Sequence, residues 1–186
     1  MIIEAPMGDE RTESKVAAKT ALAPGLSFQG HGQLHQELLQ LVGFHVGGEE
    51  FALDILRVQE IIRMQELTRV PNSPESMEGV MNLRGKIIPV IALRKRFGLV
   101  RVPADKQTRI VVVEIKGTVL GFVVDSVSEV FRIPAGSVEP APRLGKVDQE
   151  YVSGVGKLDE RLLILLDLER LMADAGEMLG VPAAQA

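Results

Sequence analysis

From Val42 onward, apolar and polar residues alternate in short runs. Val42, Phe44 and Val46 form one run, and Phe51, Leu53 and Ile55 the next. This is the period-two pattern of strands buried on one face. Gly47-Gly48 separates the runs, and glycine reaches the positive φ that a tight turn demands, so the segment is predicted as a β-hairpin. Before it, Leu34, Leu38 and Leu41 have helical spacing and predict a brief helix or turn leading into the first strand. After it, Val58 to Met64 reads as a third strand, and Thr68 to Ser76, with Pro71, Asn72, Ser73 and Pro74, as turn chemistry opening a helical turn. Gly79–Leu83 and Lys86–Ile91 are two further strands joined at Arg84-Gly85, and Leu93–Phe97 is a single helical turn stopped by Gly98.

The pattern then repeats. Shifted by 69 positions, Val42–Met64 falls on Val111–Ile133, with Val42/Val111, Gly48/Gly117, Val58/Val127, Glu60/Glu129 and Arg63/Arg132 identical. With six more residues inserted, Gly79–Phe97 falls on Gly154–Met172. Each copy therefore carries about five short strands and a terminal helical turn. The predicted class is mainly β: two five-stranded barrels, because closure removes exposed sheet edges. Subdomain one is expected at about 40–100 and subdomain two at about 110–172, joined by the polar connector Arg101–Arg109. A groove between two such units is a natural seat for a partner. Residues 1–36, which mix Gly, Pro, Ser, Thr, Lys and Glu without a sustained apolar period, read as a disordered leader, and 173–186 as a frayed tail.

Composition narrows the function classes. A net charge of −4, mixed along the chain, leaves no footprint for nucleic acid or an anionic membrane. With no cysteine, a thiol nucleophile, a disulfide framework and a cysteine-ligated zinc are all excluded. No nucleophile signature or phosphate-cradling glycine loop occurs, no cofactor is implied, and no stretch approaches a membrane span. His31 and His35 have the spacing of a metal pair, but Gly30 and Gly32 disfavour the helix it needs and no third ligand accompanies them, so solvated side chains account for them better. The reading is a binding protein rather than an enzyme.

Comparison of the two copies separates shared architecture from freedom. Gly79/Gly154, Leu83/Leu158 and Leu93/Leu168 are retained and read as structural; Val58/Val127 and Ile61/Val130 read as core or interface. Arg84 is replaced by Asp159 in the second copy, so the fold does not require it, and an arginine at a hairpin tip offers a planar fork to a partner. An ordinary solvated arginine is the plainer alternative. Glu60 recurs as Glu129, which fits pairing with a nearby arginine as well as contact with a partner. Arg94-Lys95-Arg96 lacks interleaved aromatics and reads as the wet face of a short helix.

The runs Gln40-Leu41-Val42-Gly43-Phe44-His45-Val46-Gly47, Phe51-Ala52-Leu53-Asp54-Ile55-Leu56-Arg57-Val58-Gln59-Glu60-Ile61 and Gly79-Val80-Met81-Asn82-Leu83-Arg84-Gly85-Lys86-Ile87-Ile88-Pro89-Val90 closely resemble the CheW family of bacterial chemotaxis coupling proteins. So do Gly121-Phe122-Val123-Val124-Asp125-Ser126-Val127 and Tyr151-Val152-Ser153-Gly154 in the second half. The resemblance covers residues 39–172. It implies two SH3-like five-stranded barrels and a cytoplasmic, non-catalytic scaffold. The partners it implies are the tips of methyl-accepting chemoreceptors and the regulatory domain of a CheA-type histidine kinase. Matched residue by residue, Val58, Glu60, Gly79 and Arg84 correspond to receptor-coupling positions, and Val123, Val124 and Val127 to apolar positions near the groove. The kinase-binding residues stay unassigned. Ala92 departs from the aspartate usual in the family, whereas the second copy keeps Asp167. Other readings are a CheW-like paralogue serving pilus motility or another output, a regulatory fragment of a larger kinase, and a tandem SH3-like RNA-binding module, which would require a basic stripe.

Overall fold

The computed structural model describes residues 37–141, 151–158 and 161–172; the expected leader and tail lie outside the described residues. The first copy supplies β1 (Leu38–Val46), β2 (Glu49–Asp54), β3 (Val58–Arg63), β4 (Met77–Leu83), β5 (Lys86–Ala92) and the short helix α1 (Leu93–Arg96). The second supplies β6 (Arg109–Ile115), β7 (Thr118–Val124), β8 (Ser126–Pro134), the two-residue β9 (Val138–Glu139), β10 (Val152–Leu158), β11 (Arg161–Leu166) and a helical turn, α2, over 168–172. The fold is mainly β, in two subdomains. The expected brief helix before the first strand is absent among the described residues. Leu38 and Leu41 instead extend β1, because Leu38–Val42 pair with Val130–Pro134 of β8. No helical turn opens within Thr68–Ser76 either, where Asn72 turns the chain at φ 57°.

The strands of one copy do not stay together. One sheet runs β8-β1-β2-β11-β10-β9 and the other β3-β6-β7-β5-β4. In the repeat, β8 corresponds to β3, β1 to β6, β2 to β7, β11 to β5 and β10 to β4, so the two sheets have the same order with their leading hairpins exchanged. The boundaries therefore differ from the halves read along the chain. One unit is the continuous stretch 58–124, and the other joins 38–54 to 126–166. The crossings are short: a 3-10 turn at Ile55–Arg57, capped by Asp54, whose Oδ1 accepts from the Leu56 N–H at 2.9 Å, and the single residue Asp125.

In the exchanged arrangement the leading hairpins bury both of their faces. On β6, Ile110 and Val112 enter the core of the 58–124 unit with Met81, Ile88 and Val90, while Val111, Val113 and Ile115 turn the other way. There they meet Phe44, Val46, Phe51 and Leu53 of the exchanged β1–β2 hairpin in a core shared by both units. Leu41 and Ala52 face a third cluster with Phe131, Ile133, Leu163 and Leu165. Each fully buried side chain of this size contributes roughly 1.5–3 kcal/mol, so the shared core binds the units firmly.

Gly79 and Gly154 do the same job at equivalent bulges. A Cβ on Gly79 would stand 2.6 Å from the Thr68 carbonyl oxygen, and one on Gly154 2.9 Å from that of Glu139. The bare backbone lets the segment after β3 cross β4, where Thr68 and Val80 exchange hydrogen bonds of 2.9 and 2.8 Å and bring the sheet's ends together. Contact with β9 achieves this in the other unit. The helical turns differ. The Asp167 carboxylate accepts from the N–H groups of Glu169 and Arg170 at 3.0 and 3.1 Å, whereas Ala92 gives α1 no side-chain cap. Ala92→Asp is expected to raise stability by about 1 kcal/mol, read as a higher urea midpoint.

Candidate partner-binding surfaces

The β4–β5 hairpin turns at Arg84-Gly85 with both residues at positive φ, 53° and 85°, and Asn82 steadies it by accepting from the Gly85 N–H at 2.8 Å. This two-residue turn holds Arg84 out into solvent, 79% exposed, with its Nη2 3.1 Å from Glu60 Oε2 on β3. The other unit repeats the contact with different residues: Arg161 Nη2 lies 3.2 Å from Glu129 Oε1, its guanidinium over the Phe131 ring. A solvated pair of this kind contributes about 0–1 kcal/mol. Arg84 is thus held in place yet is hardly needed for stability, and it remains available to a carboxylate.

The seven residues singled out from the sequence do not form one surface. Val58 and Val127, at equivalent starts of β3 and β8, are half-buried against the shared core beside the two crossings. Val124 is 1% exposed inside that core, and Gly79 is buried against Thr68, so neither presents surface; substitutions there act through the fold. Val123 packs on the core of the 58–124 unit and lines a small cleft with Arg94 and Asp125. Glu60 and Arg84 meet directly.

Arg94-Lys95-Arg96 is not the wet face expected of it: the Arg94 and Lys95 side chains are only 23% and 18% exposed, Arg94 held by Asp125 and Lys95 by Glu78, and no motif or spacing joins Arg94 to Asp125 in the sequence. Asp125 lies at the crossing between units, its N–H donating to the His45 carbonyl at 2.9 Å. Its carboxylate accepts from the Gly47 N–H at 2.8 Å and from Arg94 Nε and Nη2 at 2.6 and 2.7 Å. Partial burial opposes ionisation of Asp125, but the Arg94 fork and the Gly47 N–H outweigh it and hold the carboxyl below its usual range; Arg94 is raised in turn, chiefly by its bonds to Asp125. One carboxylate thereby ties α1 of the 58–124 unit to the β1–β2 turn of the other.

A second surface feature is duplicated. Ile61 and Val130 occupy equivalent outward positions on β3 and β8, and Ile87 and Leu162 on β5 and β11; all four are exposed, Ile87 at 74% and Leu162 at 61%. Exposure takes Ile61 and Val130 out of the core. Ile87/Leu162 carried the same signal in the sequence, apolar in both copies but out of phase with the core alternation. Among the described residues no three His, Cys, Asp or Glu side chains converge as a metal site, and no helix is long and apolar enough to cross a membrane. His31 and His35 fall outside those residues.

Residues 40–176 match the family described as the CheW-like domain. The chain belongs to the CheW family. Among its relatives, the chemotaxis protein CheW of Klebsiella aerogenes is 43% identical over 131 residues, covering 70% of this chain and 79% of that protein. The chemotaxis protein CheW of Helicobacter pylori is 37% identical over 138 residues, covering 74% and 84%. The crystal structure of the scaffolding protein TtCheW from Thermoanaerobacter tengcongensis superposes with a TM-score of 0.67 at 40% identity, over 70% of this chain and 90% of that one. Within this CheW-family chain, the matched region takes in both crossings, the Glu60–Arg84 pair and all four duplicated apolar positions.

Proposed function

We propose that this CheW-family chain is a non-catalytic scaffold on the cytoplasmic side of a chemosensory array, coupling the tips of methyl-accepting receptors to a CheA-type histidine kinase. The observation that carries the receptor half is Arg84: exposed, oriented by Glu60, and unnecessary to the fold. An apolar helix of the receptor would seat against the half-buried edges at Val58 and Val127, with the Arg84 fork fixing register at the rim. The Arg94–Asp125 tie sets the angle between the units and so the shape of that seat. The duplicated apolar faces, Ile61 with Ile87 and Val130 with Leu162, suit a kinase regulatory domain built on the same fold, since aliphatic side chains exposed at matching places in both units serve no core.

Co-sedimentation with receptor-containing membranes, with and without the kinase, tests this through bound protein and kinase autophosphorylation. Arg84→Glu is expected to keep the urea midpoint within about 1 kcal/mol of the parent and to lower receptor affinity at least about tenfold. The exchanged pair Glu60→Arg with Arg84→Glu separates contact from support. Coupling that stays lost identifies Arg84 as a receptor contact, and restored coupling identifies the pair as an internal brace. No binding and no activation by the parent chain would overturn the proposal.

A further inference from the structure

The internal repeat makes the clefts beside the two crossings comparable, and they differ in what fills them. Beside Asp125, a cleft of about 150 Å³ is lined by Thr108, Val123 and Asp125, and residues 101–104 of the chain's own connector form one of its walls. Two arginines hold that connector in place: Arg94 Nη1 donates to the Val100 carbonyl at 3.0 Å, and Arg101 Nη2 donates to Glu78 Oε1 at 3.0 Å. This cleft thus already receives a run of aliphatic residues carrying one arginine.

Beside the Ile55–Arg57 crossing, Leu39 and Leu56 take the places of Thr108 and Asp125. They line a cleft of about 350 Å³ with Leu38, Leu41, Ala52 and Leu165, a volume in the range of ligand pockets, roughly 300–1,000 Å³. No connector fills it among the described residues. Leu56 is 88% exposed and Leu38 57%, and that much bare leucine around a hollow marks an interaction site. The charges have changed in step. Glu78 of the first cleft corresponds to Ser153 in the second, but Asp54 stands where the first has Val123, and Glu37 joins it in the lining. Arg94 and Lys95 face the first cleft, whereas among the described residues no cation lines the second. Asp54 gives Oδ1 to the Leu56 N–H, and a carboxylate has acceptor capacity beyond one such bond.

We infer that the cleft of Leu38, Leu39 and Leu56 is a docking site for a segment of another protein, aliphatic and carrying one lysine or arginine, of the kind that the connector supplies to the first cleft. The aliphatic side chains cover the leucines, and the cation meets Asp54 and Glu37. None of these residues belongs to the receptor seat or to the duplicated apolar faces, so the site stands or falls apart from the coupling role.

The connector itself provides the probe. A capped peptide of sequence Leu-Val-Arg-Val-Pro-Ala, copying residues 99–104, is titrated into the full chain with its leucine and valine methyls labelled for NMR. Shifts are expected at Leu38, Leu39 and Leu56, saturating with a Kd of about 1 mM or tighter. Leu56→Ala, at a position too exposed to matter to the core, should weaken binding about tenfold. Asp54→Asn, or glutamate in place of the peptide's arginine, should also weaken it, and added salt should loosen the parent complex. No shift at these leucines, or shifts insensitive to Leu56→Ala and to the peptide's charge, would overturn the site. Shifts confined to Val123 and its neighbours would place the peptide in the first cleft and overturn it as well. Concentration-dependent shifts at the same leucines without peptide would overturn it in favour of a second copy of the chain.

Discussion

Gly79→Ala is expected to destabilise the protein by about 2–4 kcal/mol, combining backbone strain at an unfavourable φ with damage to paired backbone hydrogen bonds. The residue sits at φ 155°, and its added methyl would lie 2.6 Å from a carbonyl oxygen and 3.1 Å from a carbonyl carbon of Thr68. Those are backbone atoms, unable to swing away like a side chain. Relief requires the segment around Thr68 to move off β4, which breaks the bonds it exchanges with Val80 and parts the ends of the sheet. Gly136, with open space around its Cα and no positive φ, is the control, and Gly136→Ala should shift the urea midpoint little. Equal midpoints for the two variants would remove the close-approach argument. Receptor coupling should fall in Gly79→Ala in proportion to the unfolded fraction, which separates it from Arg84→Glu.

Asp125→Asn is expected to lower stability by about 2–3 kcal/mol at neutral pH, the range for hydrogen bonds to charged groups. The amide retains an oxygen for Gly47 but loses the ionic fork to Arg94. The pH dependence has a definite sign. Because the folded carboxyl is held below its unfolded value, the parent draws stability from Asp125 above about pH 3.9 and loses it as pH falls through the folded value. The gap between parent and Asp125→Asn should therefore be full at pH 7 and close progressively below about pH 4. Urea midpoints across that range measure it; a gap that persists at the acid end would assign the loss to packing. Arg94→Ala should be strongly non-additive with Asp125→Asn, since each removes the same contact. Receptor binding and kinase activation should both drop in the two variants, since the proposed receptor seat takes its shape from this tie.

Much of this architecture is legible along the chain. Alternation from Val42 to Ile55, the Gly47-Gly48 turn and the Arg84-Gly85 tip locate hairpins that the structure contains, and the repeat announces two equivalent units. The retained glycines Gly79 and Gly154 were readable as structural, though their reason, a crossing backbone, was not. Glu60, recurring as Glu129, suggested an arginine partner, and the structure supplies Arg84 for one and Arg161 for the other. The pairing of Asp125 with Arg94 was not legible, because the two are 31 residues apart, belong to no shared pattern, and meet only where the chain crosses between units.

The sequence by itself determined the strands, their turns, the duplication and the family, because those depend on local periodicity, on residues that tolerate positive φ, and on motif order. Tertiary structure alone decided which sheet each leading hairpin joins. Alternation states which faces are apolar but not what they face, and a run such as Ile110-Val111-Val112-Val113, buried on both sides, fits its own copy or the other equally well by pattern. In the exchanged arrangement Phe44, Phe51, Val111 and Phe122 lie buried in one core shared by both units. The same tertiary choice left Ile61, Ile87, Val130 and Leu162 outside it, facing solvent and available to a partner.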